Sequence, residues 1–565
     1  MKFSDMQYAR PDFDALFEQM QGLLEEMKDA PTADAYFEAG IKLDRLGSNL
    51  QTQGTLANIR HTINTKDEFY DKEKDIFDEQ GPRFQEISTQ NAAIALSSPF
   101  RKDIEERYGK HLLEKYELAL KTFKPEIVED LVEENKVASE YEKLLASAEI
   151  HFDGGTYNLS GMTPFMQSFD RDVRHRANDA SYGWLAQRQE QLDELYDKLV
   201  KIRDRIGKKL GFESFIPVAY ARMGRTDWNQ EDAKVYRDQI VEAIVPLTQK
   251  LYKQQSKRLG IKDMKNFDYA LEFLTGNPKP RGDEDYLVPQ ATKMYHELSP
   301  ETGAFFDIMT GWQLMDLTTK PGKAGGGYMT FLPDYKVPFI FSNFNGTSGD
   351  VDVLTHEAGH AFQGYLQRDV EPSDLKEYTM EVAEIHSMSM EFFTHPWMEH
   401  FFGDDTQKYY YSHVADAIKF LPYGASIDEL QEWVYEHPEA TAEERRLRYR
   451  LIEKKYLPHI DYNGFEYLEK GGRWQRQHHV YSLPFYYLDY TISQVCAFQY
   501  FVWDKKNHEE AWQSYLKVCR LAGQVPFKEL AKECGLLSPF EPGAIASITP
   551  ALEEYFATLD MSKIK

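Results

Sequence analysis

A mainly α fold carrying a small β-sheet is what the sequence predicts for this 565-residue chain. Three observations predict it. Apolar residues recur at three- and four-residue spacing through most of the first 136 positions. A second long helical pattern follows Pro164. Strand-like texture gathers in two short runs near residue 330, beside a glycine-rich stretch.

Each element has its own signal. Leu16, Met20, Leu23, Leu24 and Met27 share one helical face, and Pro31-Thr32-Ala33-Asp34 supplies a break and a new N-cap. These stripes are core positions of a long helical lobe. Residues 148–164 alternate and contain Gly154-Gly155, which predicts a hairpin. Helices resume after Pro164 in a segment polar on one side and ended by Gly211. A lobe boundary near residue 190 divides the chain into an N-terminal helical lobe, 1–190, and a catalytic region, 191–565. Pro278 to Asp285 is a polar loop, and 289–317 reads as helix again.

The texture then changes at Lys320-Pro321-Gly322-Lys323-Ala324-Gly325-Gly326-Gly327. Tyr328 to Leu332 and the run from Val337 read as two strands joined by a turn. Glycines there permit close backbone approach. No G-x-x-x-x-G-K-[ST] string is present, so the stretch is not a phosphate loop.

Val351 to Leu366 holds His356, Glu357 and His360 as His-Glu-x-x-His. Residues four apart lie one above the other on a helix, so His356 and His360 aim two imidazoles at one point. That suits a tetrahedral zinc site, and Glu357 is placed to take a proton from an attacking water. The metzincin continuation fails, because Gln363 and Leu366 stand where Gly and His are required. After Glu371-Pro372-Ser373-Asp374, a second helical stretch carries Glu377, Glu381, Glu384 and Glu391 at helical spacing. A glutamate from such a packed helix completes a His₂Glu site, and spacing alone does not choose among them. Asp352, one turn before His356, is placed either to accept that ring's other N–H or to face solvent near the helix start.

Composition bounds the partners. With 66 basic and 92 acidic residues the net charge is −26, which disfavours nucleic acid and anionic membranes. Three cysteines, Cys496, Cys519 and Cys534, form no paired framework and point to a reducing compartment. The first 20 residues show no apolar signal core, and no apolar run approaches 18 residues. A cytoplasmic protein is expected.

HEAGHAF at 356–362, followed by EIHSMSME from Glu384, resembles the oligoendopeptidase F and thimet oligopeptidase family of zinc metallopeptidases. The resemblance extends over DRDVRHRA from Asp170, RDRIGKKLGF from Arg203, the glycine-rich segment and the tyrosines near Tyr490. The first 150 residues carry no matching motif. In that family the third ligand opens an E-x-x-S-x-x-x-E pattern, which Glu384, Ser387 and Glu391 match; this selects Glu384 over Glu381. The family also places a His about seven and eleven residues before two tyrosines that stabilise the oxyanion. His479, Tyr486 and Tyr490 satisfy that spacing, His478 is out of phase, and Tyr487 is the alternative to Tyr486.

The resemblance implies a two-lobed helical metallopeptidase enclosing a deep substrate channel, with the sheet beside the His-Glu-x-x-His helix. A strand of that sheet pairs with extended substrate, and a glycine loop adjusts over it. One Zn²⁺ per chain is implied, with endopeptidase action on oligopeptides. Two alternatives stand beside this. A zinc metallocarboxypeptidase would need a cation capturing the substrate's terminal carboxylate. A non-catalytic peptide-binding metalloprotein would have no use for Glu357.

Overall fold

The computed structural model describes residues 1–320 and 322–564; Pro321 of the glycine-rich stretch and Lys565 lie outside the described residues. Helices form where apolar periodicity placed them: α1 (Phe13–Lys28), α2 (Ala33–Ile63) and α3 (Glu68–Ser97) open the chain. Asp12 caps α1 by accepting from the Ala15 amide, and Thr32 caps α2 by accepting from that of Ala35. Their inner faces meet in one apolar core that includes Met20, Leu24, Met27, Leu50 and Ile87. Burying each such side chain contributes roughly 1.5–3 kcal/mol.

The expected hairpin is present. Strands β1 (Ile150–Phe152) and β2 (Gly155–Tyr157) pair antiparallel across Asp153-Gly154. Both turn residues are left-handed, at φ 46° and 83°, the backbone a two-residue hairpin loop requires. The helical run after Pro164 divides into Arg171–Ala186 and Gln189–Leu210, with Gly211 ending the second at φ 94°.

Two stretches differ from the sequence reading: the glutamate-bearing helix begins only at Met380, so Glu377 stands in extended backbone before it, and the run at 289–317 is not helical to its end. Residues 289–317 are helical only as far as Gly311, after which β3 (Met315–Thr318) begins. This strand is made by a distant partner: Met315 lies opposite Ile340 in a parallel pairing with β5 (Val337–Phe344). No local pattern reports such a pairing. Strand β4 (Tyr328–Leu332) pairs antiparallel with β5, from Tyr328 opposite Phe341 to Leu332 opposite Val337. The strand order β3-β5-β4 leaves β4 at an edge.

The chain forms two compact units, each drawn from three segments: 1–120, 279–406 and 497–536 in the first, and 121–278, 407–496 and 537–565 in the second. This division by contact differs in kind from the single cut near residue 190 that the sequence suggested. The three cysteines are buried and none is in a disulfide bond. Among the described residues no helix is long and apolar enough to cross a membrane.

Candidate active site

Strand β5 delivers the chain into the His-Glu-x-x-His helix, Gly349–Leu366. Asp350 fixes the entry turn, its carboxylate accepting from the Asn345 and Gly346 amides at 2.8 Å each. The two acids in the first turn, Asp350 and Asp352, complement the positive helix end. A second helix, Met380–Phe393, crosses this one and carries Glu384.

Gly359 sets how closely the two helices approach. A Cβ at this position would stand 2.6 Å from the His386 carbonyl oxygen and 2.7 Å from the Ser387 Cα. Those are backbone atoms, with no flexible end to move aside. Gly359→Ala is therefore expected to push the helices apart, withdraw Glu384 from the histidines and lower both metal content and activity at least about tenfold. Elemental analysis alongside a peptide-cleavage assay checks it; full metal and full rate in the Gly359→Ala protein would show that the close approach is dispensable.

The approach brings His356, His360 and Glu384 together, with one donor atom from each lying within 4.8 Å of the others. Glu384 Oε2 is 3.2 Å from His356 Nε2 and 3.5 Å from His360 Nε2. Burial disfavours the Glu384 carboxylate, yet the hydrogen bonds and charge of His356 and His360 outweigh it and hold the group well below its usual range. Burial likewise opposes a cationic His356, and its contacts with Glu384 and Glu391 prevail and raise it. Two imidazoles and one carboxylate converging on a point are a donor set that fits zinc.

The supporting residues are also in place. Glu391 Oε1 lies 2.7 Å from His356 Nδ1, so an Nδ1–H donated to it turns Nε2 toward Glu384. Glu391 thus fills the orienting role that the sequence allowed for Asp352. The Ser387 hydroxyl donates to Glu384 Oε2 at 2.9 Å. Glu381 is fully buried as well, but its carboxylate is not among the three converging donors.

Glu357 lies between the two histidines in sequence and is 8% exposed. Burial raises its carboxyl above the ordinary range; Glu384 and Glu391 add to this while His356 and His360 oppose it. Such a shift suits a group that must accept a proton near neutral pH. Gly327, the residue before β4, has its Cβ position 3.8 Å from Glu357 Oε1. The edge strand therefore starts beside Glu357.

His479, Tyr486, Tyr487 and Tyr490 form a cluster of their own within the second unit. The Tyr486 hydroxyl donates to that of Tyr490 at 2.8 Å. The His479 ring lies 5.4, 5.0 and 5.8 Å from those of Tyr486, Tyr487 and Tyr490. Burial, helped by neighbouring His478, pushes His479 down to about 3, so its imidazole is neutral at physiological pH. Gln477 Nε2 lies 2.7 Å from His479 Nδ1; an amide N–H donated there leaves the ring proton on Nε2. The sequence reading did not single out Gln477, and nothing two residues before a histidine marks it.

A helix-borne His-Glu-x-x-His completed by a carboxylate from a second helix is the donor arrangement of a metal-assisted hydrolase. The model of Peptidase family M3 matches residues 164–541 and that of the Peptidase M3 N-terminal domain residues 3–123; the chain belongs to this family. It is 24% identical to Oligopeptidase PepF of Bacillus subtilis (strain 168) over 68% of this chain and 59% of that one. The chromosomal Oligoendopeptidase F of Lactococcus lactis subsp. cremoris is 28% identical over 40% of this chain and 36% of its own. The chain thus spans about one third to three fifths of the curated relatives it matches. Among solved structures, PZ peptidase A with an inhibitor is 48% identical with a TM-score of 0.93, covering 99% of this chain and 100% of that one. A candidate oligoendopeptidase F from Bacillus anthracis str. Ames is 45% identical with a TM-score of 0.88, covering 100% and 99%.

Proposed function

We propose that this chain is a zinc-dependent endopeptidase that hydrolyses internal bonds of oligopeptides. The observation carrying this reading is the convergence of His356, His360 and Glu384 beside a separate buried carboxylate, Glu357. A purely structural metal has no need of that fourth group. Membership of a peptidase family and the oligopeptidase names of its relatives support the substrate class.

His356, His360 and Glu384 would hold one Zn²⁺ per chain. Bound there, zinc supplies Lewis acidity, lowering the pKa of water toward about 7 and polarising a carbonyl. Glu357 takes the proton of the attacking water and then delivers it to the leaving nitrogen. Glu391 keeps His356 turned inward. The resemblance to the family assigns Tyr490 and His479 as donors to the carbonyl oxygen as its carbon becomes tetrahedral. Tyr486 hydrogen-bonds the Tyr490 oxygen and so strengthens the donor. The three buried thiols fit a reducing, cytoplasmic setting.

Digestion of a mixed peptide pool, read by mass spectrometry, tests the reading. Cuts at internal bonds are expected, unaffected by C-terminal amidation and abolished by a chelator. Release of single C-terminal residues that amidation blocks would instead assign a carboxypeptidase.

Tyr490→Phe removes one oxygen and leaves the ring packing. It is expected to lower kcat by about 10²–10³-fold with KM and metal content little changed, as for loss of an oxyanion donor. Measuring kcat and Tm on the same variant separates this from a structural role. Intact turnover with a lowered Tm would make Tyr490 a core residue.

A further inference from the structure

The first unit contains a cavity of about 640 Å³, within the roughly 300–1,000 Å³ range of ligand pockets. None of His356, Glu357, His360 or Glu384 lines it. Its position relative to the catalytic base follows from two glycines. Gly327 lies beside Glu357, and seven residues beyond Glu357 on its helix a Cβ at Gly364 would stand 3.2 Å from the Phe331 ring. Seven residues of helix rise about 10 Å, the length of about three residues of extended peptide. Phe331, Met329 and Gly364 all line the cavity. It therefore lies alongside β4, an edge strand of its sheet, and a peptide laid along that edge from Glu357 enters it by its third residue.

The two parts of the lining differ in chemistry. Phe37, Phe77, Phe84 and Ile87 from α2 and α3 give an apolar wall. Where α2 meets the 371–378 segment the lining is acidic: Asp44, Glu371, Asp374 and Glu377 stand against one cation, Lys376. Asp44 is held in position, its Oδ1 accepting from the Ser373 amide at 2.8 Å and from the Ser373 hydroxyl. Asp374 accepts from the Tyr116 hydroxyl at 2.6 Å. The Lys115 ammonium is committed to backbone, donating to the carbonyls of Asp374, Glu377 and Gly523. Burial raises the Glu377 carboxyl, with Asp374 adding to it against Lys115, so these acids gather at the cost of mutual repulsion.

We propose that this cavity takes the N-terminal residues of the substrate, apolar side chains against the aromatic wall and the free α-ammonium among Asp44, Glu371, Asp374 and Glu377. The sign of the charge selects this end, since a C-terminal carboxylate would be repelled there. The inference rests on the peptidase reading and adds to it a preference for peptides with an unblocked N-terminus.

The test uses zinc-loaded protein and one fluorogenic peptide made with a free and with an acetylated N-terminus. A charge-assisted contact predicts kcat/KM about tenfold higher for the free amine. That ratio should fall as salt is raised, and should fall toward one in Asp44→Asn/Glu371→Gln. The Asn oxygen can still accept from Ser373, and the salt series on unaltered protein stands if the double variant does not fold. Equal rates for the two peptides, or a preference that ignores both salt and the substitutions, would overturn the anchor alone. Failure to cleave either peptide would overturn the peptidase reading and the anchor with it.

Discussion

Glu357→Gln is expected to bind metal as the unaltered protein does and to lose hydrolysis by about 10²–10⁴-fold. The amide is nearly isosteric with the carboxylate, so packing against the histidine helix is preserved. What disappears is the capacity to accept a proton. Burial first, then Glu384 and Glu391, raise the Glu357 carboxyl against the opposing pull of His356 and His360, which makes it a better proton acceptor. His356, His360 and Glu384 are untouched by the change, which separates loss of the base from loss of the metal. Near-normal turnover by metal-replete Glu357→Gln protein would remove Glu357 from the mechanism.

Glu384→Ala is expected to weaken metal binding by at least about 100-fold, the upper end of what losing even an outer partner of a ligand costs. Activity should fall with it. The reason is geometric: Glu384 Oε2 is the atom that both histidine Nε2 atoms face, at 3.2 and 3.5 Å. Truncation leaves two imidazoles without their third donor, while the Ser387 hydroxyl keeps only the Glu384 backbone carbonyl as acceptor. Glu381→Ala is the matched control, one turn away on the same helix and equally buried. It should cost stability and leave metal affinity nearly intact. Equal loss in both variants, or loss confined to Glu381→Ala, would mean that the wrong carboxylate has been assigned.

The parts of this site that were legible in the sequence are those set by helical periodicity. His356 and His360 share a face because they are four apart on one helix, and a second glutamate-bearing helix followed from its spacing alone. Choosing Glu384 needed the E-x-x-S-x-x-x-E pattern of the resembling family. That same pattern contained Glu391 and Ser387, whose contacts with His356 and Glu384 became explicit only in three dimensions. Two other features left no local trace. Gly359 reads as an ordinary helix glycine until the His386 backbone is seen 2.6 Å from its Cβ position. Strand β3 exists because β5 is its neighbour, and a pairing between residues 315 and 340 has no signature within either segment. The cavity beside β4 is likewise a product of packing, since its walls come from helices, strand and loop more than 300 positions apart in sequence.

On the proposed function, hydrolysis requires one zinc ion held by His356, His360 and Glu384. Native mass spectrometry of the purified protein, with peptide cleavage followed on the same sample through chelation and zinc titration, tests it most directly. One zinc per chain is expected, with cleavage lost on chelation and restored in step with zinc up to one equivalent. Undiminished cleavage by the metal-free chain, or recovery that requires two or more equivalents, would contradict it.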